Sequence, residues 1–180
     1  TKNSSFNAAR SYSGNIAVLN FASATNPGGG VTKGSNAQEE CLCRCSTLYP
    51  ILSDSRFIIF YGEHKTAGSA LHNDDIIYSP NVYIIKSDSY TNLYRPFKVN
   101  IITCAAPNLR ETPANAYNHE VGEKPNITDK QLLKLHEKRA RAIFNAAVEN
   151  GNETIILGAF GCGAFRNNPE IVAQAYKNVL

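Results

Sequence analysis

Short apolar runs alternate with polar, glycine-bearing segments along this chain, and their spacing predicts strands and helices in succession. Residues 15–21 (NIAVLNF) form an apolar run of strand length, as expected for a buried strand. A glycine-rich loop over residues 23–34 follows. Residues 38–48 then place Leu42, Cys45 and Leu48 on one helical face, with Pro50 as the stop. Residues 56–61 (RFIIFY) read as another strand, flanked by a polar excursion over 62–75. Pro80 interrupts residues 76–86, which predicts two short strands or one strand at a sheet edge. Residues 97–106 (FKVNIITCAA) are a further strand that runs into a loop over 107–125.

The clearest helix covers residues 127–150. Thr128 is placed as its cap, and Gln131 completes a capping box. Leu132, Leu135, Ile143 and Ala147 recur at helical spacing, and Gly151 closes the segment. Residues 153–158 (ETIILG) predict the next buried strand. Asn168 caps a last helix that opens on Pro169. The alternation predicts one α/β domain over residues 1–180, with helices on both faces of a sheet.

Bulk composition narrows the class without deciding it. At 180 residues, 43% hydrophobic and 18% charged, the chain suits one full-sized globular domain. A net charge of +3 is too mild to indicate duplex nucleic acid, so specific DNA binding is not expected. The five cysteines are odd in number and show no C-x-x-C pair, which predicts neither a disulfide framework nor a zinc site. Cys41, Cys43 and Cys45 are spaced by two, and residues two apart do not share a helix face. A reducing, cytoplasmic compartment follows, in which the sequons at Asn3, Asn126 and Asn152 carry no meaning. No apolar run is long enough to span a bilayer, and no secretory signal is visible. The chain starts at Thr1 and holds no Met or Trp, and the start reads as that of a processed or excised fragment.

Two glycine loops carry the chemistry. Gly28, Gly29 and Gly30 are followed by seven residues (VTKGSNA) and then by Gln38, Glu39 and Glu40. A backbone without side chains can press against a ligand, and carboxylates close behind it can supply acid–base chemistry. By themselves Glu39 and Glu40 also fit a solvated first helical turn, where acids meet the helix dipole favourably. Residues 158–165 (GAFGCGAF) lie between a strand and a helix start, an arrangement in which backbone N–H groups receive a phosphate or diphosphate. The pattern is neither G-x-G-x-x-G nor a P-loop, and tight packing alone could explain its glycines. Each loop follows a predicted strand, so both are expected at the carboxyl edge of one sheet, where α/β ligands bind. His64, His72, His119 and His136 fall in no dyad or metal spacing, and His136 is expected as a polar residue of the long helix. Tyr78, Tyr83 and Tyr90 are expected to serve strand packing.

The segment LNFASATNPGGGVTKGSNAQEECLCRCSTLYP resembles the microbial-type poly(ADP-ribose) glycohydrolases of the macrodomain superfamily, whose signature is G-G-G, six to eight residues, then Q-E-E. YSPNVYIIK, ITCAAPNLR and LGAFGCGAFRNNPEIVAQAY extend the resemblance over nearly the whole chain. It implies a macrodomain-like three-layer α/β/α fold with a mixed central sheet. It also implies hydrolysis of the ribose–ribose O-glycosidic bond of a terminal ADP-ribose unit. The implied ligand is poly(ADP-ribose) or ADP-ribose, with ADP-ribosylated proteins as partners, a monomeric state, and neither metal nor cofactor.

Carried over by position, Glu40 is the catalytic acid and Glu39 holds the ribose beside it. Gly28, Gly29 and Gly30 line the scissile ribose, and Gln38 positions the carboxylates or the loop. Gly158, Gly161, Cys162, Gly163, Ala164 and Phe165 form the diphosphate loop, with Phe165 against the distal ribose. Where many macrodomains carry Asn, this chain has Ser23, so the resemblance implies no ribose contact there. The family usually carries more chain ahead of this segment, so an N-terminal extension is expected beyond Thr1. Two other readings are a non-catalytic reader of ADP-ribose and a hydrolase of mono-ADP-ribose linkages. Two glutamates favour the enzyme, because a reader needs no acid.

Overall fold

The computed structural model describes residues 4–66, 68–114 and 123–180. Asn3 and His119 lie outside the described residues, as does most of the predicted loop's middle. Helix α1 (Ser5–Ala9) precedes β1 (Ile16–Ala22). After the glycine loop come α2 (Gln38–Cys45), α3 (Leu48–Leu52) and α4 (Ile58–Thr66). Strands β2 (Ile77–Lys86) and β3 (Asn92–Ala105) form a hairpin; α5 (Asp129–Glu149), β4 (Thr154–Ile156) and α6 (Pro169–Val179) follow.

The sheet is mixed, in the order β2-β3-β1-β4. β1 is parallel to both β3 and β4, whereas β2 and β3 are antiparallel. Alternate residues of a strand face opposite sides, and the core divides accordingly. Val18 and Ile101 pack under α1 to α4 with Leu42, Leu48 and Phe60. Leu19, Ile102 and Cys104 pack under α5 and α6 with Ile143, Ala147 and Val172. This is the expected three-layer α/β/α arrangement.

Several local expectations change. Residues 56–61 are helical, not a strand. Asp54 accepts from the Arg56 N–H and starts the turn, and burial then recurs at Phe60, Tyr61 and His64. Ile58 and Ile59, the apolar residues that suggested a strand, are exposed. The predicted excursion therefore begins as helix, through Thr66. The helix predicted over 38–48 breaks at Ser46, whose extended backbone bridges to Ile84 of β2. Pro50 does not stop a helix but lies in the first turn of α3, where its missing N–H has no intrahelical partner to lose. The strand predicted over 153–158 shortens to three half-buried residues of β4 at the sheet edge. Pro80, by contrast, sits in a continuous edge strand whose register shifts between Ser79 and Val82. Thr128 and Gln131 form the expected capping box of α5.

Tyr83 is largely exposed, with Lys98 Nζ 5.5 Å from its ring centroid, and Tyr90 occupies the hairpin turn. Neither serves strand packing as expected, whereas Tyr78 is half-buried and hydrogen-bonds Asn152. All five cysteines are free thiols. Among the described residues no three metal-ligating side chains converge, and no helix is long and apolar enough to cross a membrane.

Candidate active site

Parallel pairing brings the two glycine loops to the same carboxyl edge of the sheet. There they flank a cleft of about 340 Å³, lined among others by Gly29, Gly30, Glu39, Glu40, Ala164 and Phe165. It shares Phe21, Asn36 and Ala37 with a larger neighbouring cavity of about 930 Å³, bounded by α1, α2 and the β4 edge.

Gln38, the first residue of α2, fixes this geometry. β1 runs to Ala22, but its pairing with β4 ends at Val18. Beyond that point the Gln38 side-chain amide donates to the Leu19 carbonyl at 2.8 Å and accepts from the Phe21 N–H at 2.8 Å. Two backbone groups that lack a strand partner are thereby satisfied by one side chain. Gln38 thus ties the start of α2 to the backbone of β1.

Glu39 and Glu40 are buried, not solvated, in the first turn of α2. Glu39 Oε1 accepts from Asn20 Nδ2 at 3.2 Å, and Oε2 accepts from the Ser23 N–H at 2.7 Å. Glu40 Oε1 accepts from the Gly30 N–H at 2.9 Å. Glu40 Oε2 is buried and has no hydrogen-bond partner among the described residues. Burial pushes the Glu39 carboxyl up to about 8, with a smaller upward push from Glu40, against the hydrogen bonds from Ser23 and Asn20.

The glycines answer to these side chains. Gly29 adopts φ +59°, and a Cβ there would lie 2.5 Å from Glu40 Oε1. At Gly28 a Cβ would lie 2.7 Å from the Tyr49 ring, so that glycine is a packing requirement. The second loop divides likewise. A Cβ at Gly161 would meet Ala106 and Asn167, and one at Gly158 would meet Phe21, whereas Gly163 faces open space. Cys162 is half-buried, its thiol directed to the Phe160 carbonyl.

Several residues that hold the site have no motif to announce them. Asn20 is polar within an apolar strand, which is the one available signal. Asn167 is buried, and its Nδ2 donates to the carbonyls of Pro107 and Gly161, which ties the second loop to the end of β3. Its Oδ1 is 2.9 Å from His136 Nε2; His136 is therefore a buried partner of the loop rather than an ordinary polar residue of α5. Arg44 holds the outer rim through the carbonyls of Val31 and Ser35 and the side chain of Asn36. Arg110 lines the cleft as its cation.

The whole chain superposes on the poly(ADP-ribose) glycohydrolase of Deinococcus radiodurans, crystallised with ADP-ribose, at 39% identity and a TM-score of 0.85, covering 68% of that protein. The chain belongs to the microbial-type poly(ADP-ribose) glycohydrolase family. The family model for the microbial-type PARG catalytic domain matches residues 1–87, which hold the G-G-G and Q-E-E elements. The glycohydrolase of Thermomonospora curvata bound to the inhibitor ADP-HPD is 34% identical with a TM-score of 0.87, and another structure of that protein gives 0.88. The chain spans 64% and 62% of the length of those two. No curated protein matches it significantly.

Proposed function

We propose that the protein is a poly(ADP-ribose) glycohydrolase that cleaves the ribose–ribose O-glycosidic bond of the terminal ADP-ribose unit. The observation that carries this reading is Glu40 Oε2, a buried carboxyl oxygen without a partner among the described residues, beside a cleft between two glycine loops. The other three oxygens of the Glu39–Glu40 pair already accept N–H groups. Glu40 Oε2 is thus the oxygen of the pair left for a ligand oxygen to meet.

The reaction then runs on one residue. Glu40 protonates the bridging oxygen as its bond to the ribose anomeric carbon breaks, and an oxocarbenium-like centre develops. Glu40, now a carboxylate, takes a proton from water as the water oxygen bonds to that carbon, which restores the acid. Glu39 holds the ribose beside the acid. Gly29 and Gly30 let the ribose approach the carboxyls. Gly158, Gly161, Cys162, Gly163, Ala164 and Phe165 receive the diphosphate and distal ribose, and this binding places the bond against Glu40. ADP-ribosylated proteins in the cytoplasm are the proposed partners, in keeping with five free thiols.

Calorimetry with ADP-ribose and a polymer-degradation assay on the same sample test the proposal. Binding together with release of ADP-ribose is expected. Binding without release identifies a reader, and release only from singly modified proteins identifies a mono-ADP-ribose hydrolase.

A further inference from the structure

His72 adopts φ 60°, a left-handed conformation that disfavours a non-glycine residue. Such a backbone persists only where its surroundings over-determine it. Here the clamp is Arg139, buried in the middle of α5. Its Nη2 donates to the Leu71 carbonyl at 2.9 Å and the His72 carbonyl at 3.3 Å, and its Nε to Asp74 Oδ1 at 3.1 Å. Its Nη1 donates to the Ala105 carbonyl at 2.8 Å, at the very end of β3. The imidazole is pinned to the same place, with Nδ1 2.7 Å from the Ala106 carbonyl. A carbonyl only accepts, so Nδ1 carries the hydrogen, and both tautomer and ring plane are fixed.

The fixed ring lies against Phe165, with centroids 5.8 Å apart and planes inclined at 56°. Phe165 in turn lines the cleft with Glu39 and Glu40. Its loop is held at the same strand end, through the Leu109 N–H on the Phe165 carbonyl. We infer that His72 is a positioning residue: it sets the plane of Phe165 and thereby the seat of the ligand's distal ribose. The inference rests on the proposed contact between Phe165 and that ribose. The strained backbone, the buried arginine and the oriented imidazole then have one common purpose at the cleft.

A double-mutant cycle on ADP-ribose affinity tests this, using His72→Asn, Phe165→Ala and the double variant. Asn tolerates the left-handed backbone and removes only the ring. Phe165→Ala is expected to weaken ADP-ribose, and His72→Asn to weaken it roughly three- to tenfold, the scale of one aromatic contact. The double variant should be no worse than Phe165→Ala, because the histidine acts through the phenylalanine. His72→Phe, which restores an aromatic ring, should recover part of the loss, and thermal melting shows which variants are folded. Wild-type affinity in His72→Asn, or fully additive losses, overturns the inference alone. Unchanged affinity in Phe165→Ala overturns the reading of the cleft and the inference with it.

Discussion

The side-chain amide of Asn20 in β1 donates to the Glu39 carboxyl in α2 across 3.2 Å, with both side chains sealed from solvent. The same Nδ2 also reaches Thr103 Oγ1 of β3 at 3.2 Å. One amide thus joins two parallel strands to the acidic turn. The contact does not offset the burial of the carboxyl, which still holds its proton to about pH 8.

That raised value fixes how stability responds to pH. The ordinary value is 4.5 and the folded value about 8, so the folded state binds the proton more tightly across that window. The stability contributed is complete below pH 4.5 and is lost as pH rises through about 8. Glu39→Gln cannot ionise, so its stability relative to the parent should improve over the same window by on the order of 5 kcal/mol. Thermal melts at several pH values check this; parallel pH dependence in the two proteins would count against it.

Glu40→Gln separates binding from chemistry. Loss of the positioned acid should reduce release of ADP-ribose from polymer by ~10²- to 10⁴-fold, with ADP-ribose affinity held within about threefold. Chromatography of released product beside calorimetry checks it, and normal turnover by the variant would sink the assignment.

Two glycines give opposite expectations. Gly29→Ala places a methyl 2.5 Å from Glu40 Oε1 on a left-handed backbone. It should cost about 1–3 kcal/mol of stability and most of the activity. Gly163→Ala meets nothing within 4 Å, and its melting temperature should stay close to the parent's. Any loss of ADP-ribose affinity in the second variant then reports on the ligand rather than the fold.

Arg44→Met removes the donors that hold the carbonyls of Val31 and Ser35. Amide exchange over residues 31–36 should accelerate while β1 and β3 keep their protection. Mass spectrometry of exchange checks it, and an unchanged segment would show that the rim does not depend on the arginine.

The legible parts of this site were those with local grammar. The capping box at Thr128 and Gln131, Pro169 after Asn168, and the parallel emergence of both glycine loops follow from short-range rules. The acids were legible as a pair, but their burial was not, because it depends on Asn20 and the Ser23 N–H from a different element. Residues 56–61 misled because apolarity there does not mean burial: Ile58 and Ile59 face outward while Tyr61 and His64 face in. His72, Asn167 and Arg139 stayed invisible because each works by contacts with residues more than thirty positions away.

Gln38 has a consequence for the stretch before it. Because its amide is spliced into the backbone ladder of β1, the start of α2 is referenced to the strand itself and not to the chain that leads there. The seven intervening residues therefore do not measure the distance between glycines and glutamates. They form a rim that Arg44 of α2 ties back through the carbonyls of Val31 and Ser35, so the loop takes its position from the helix it leads into.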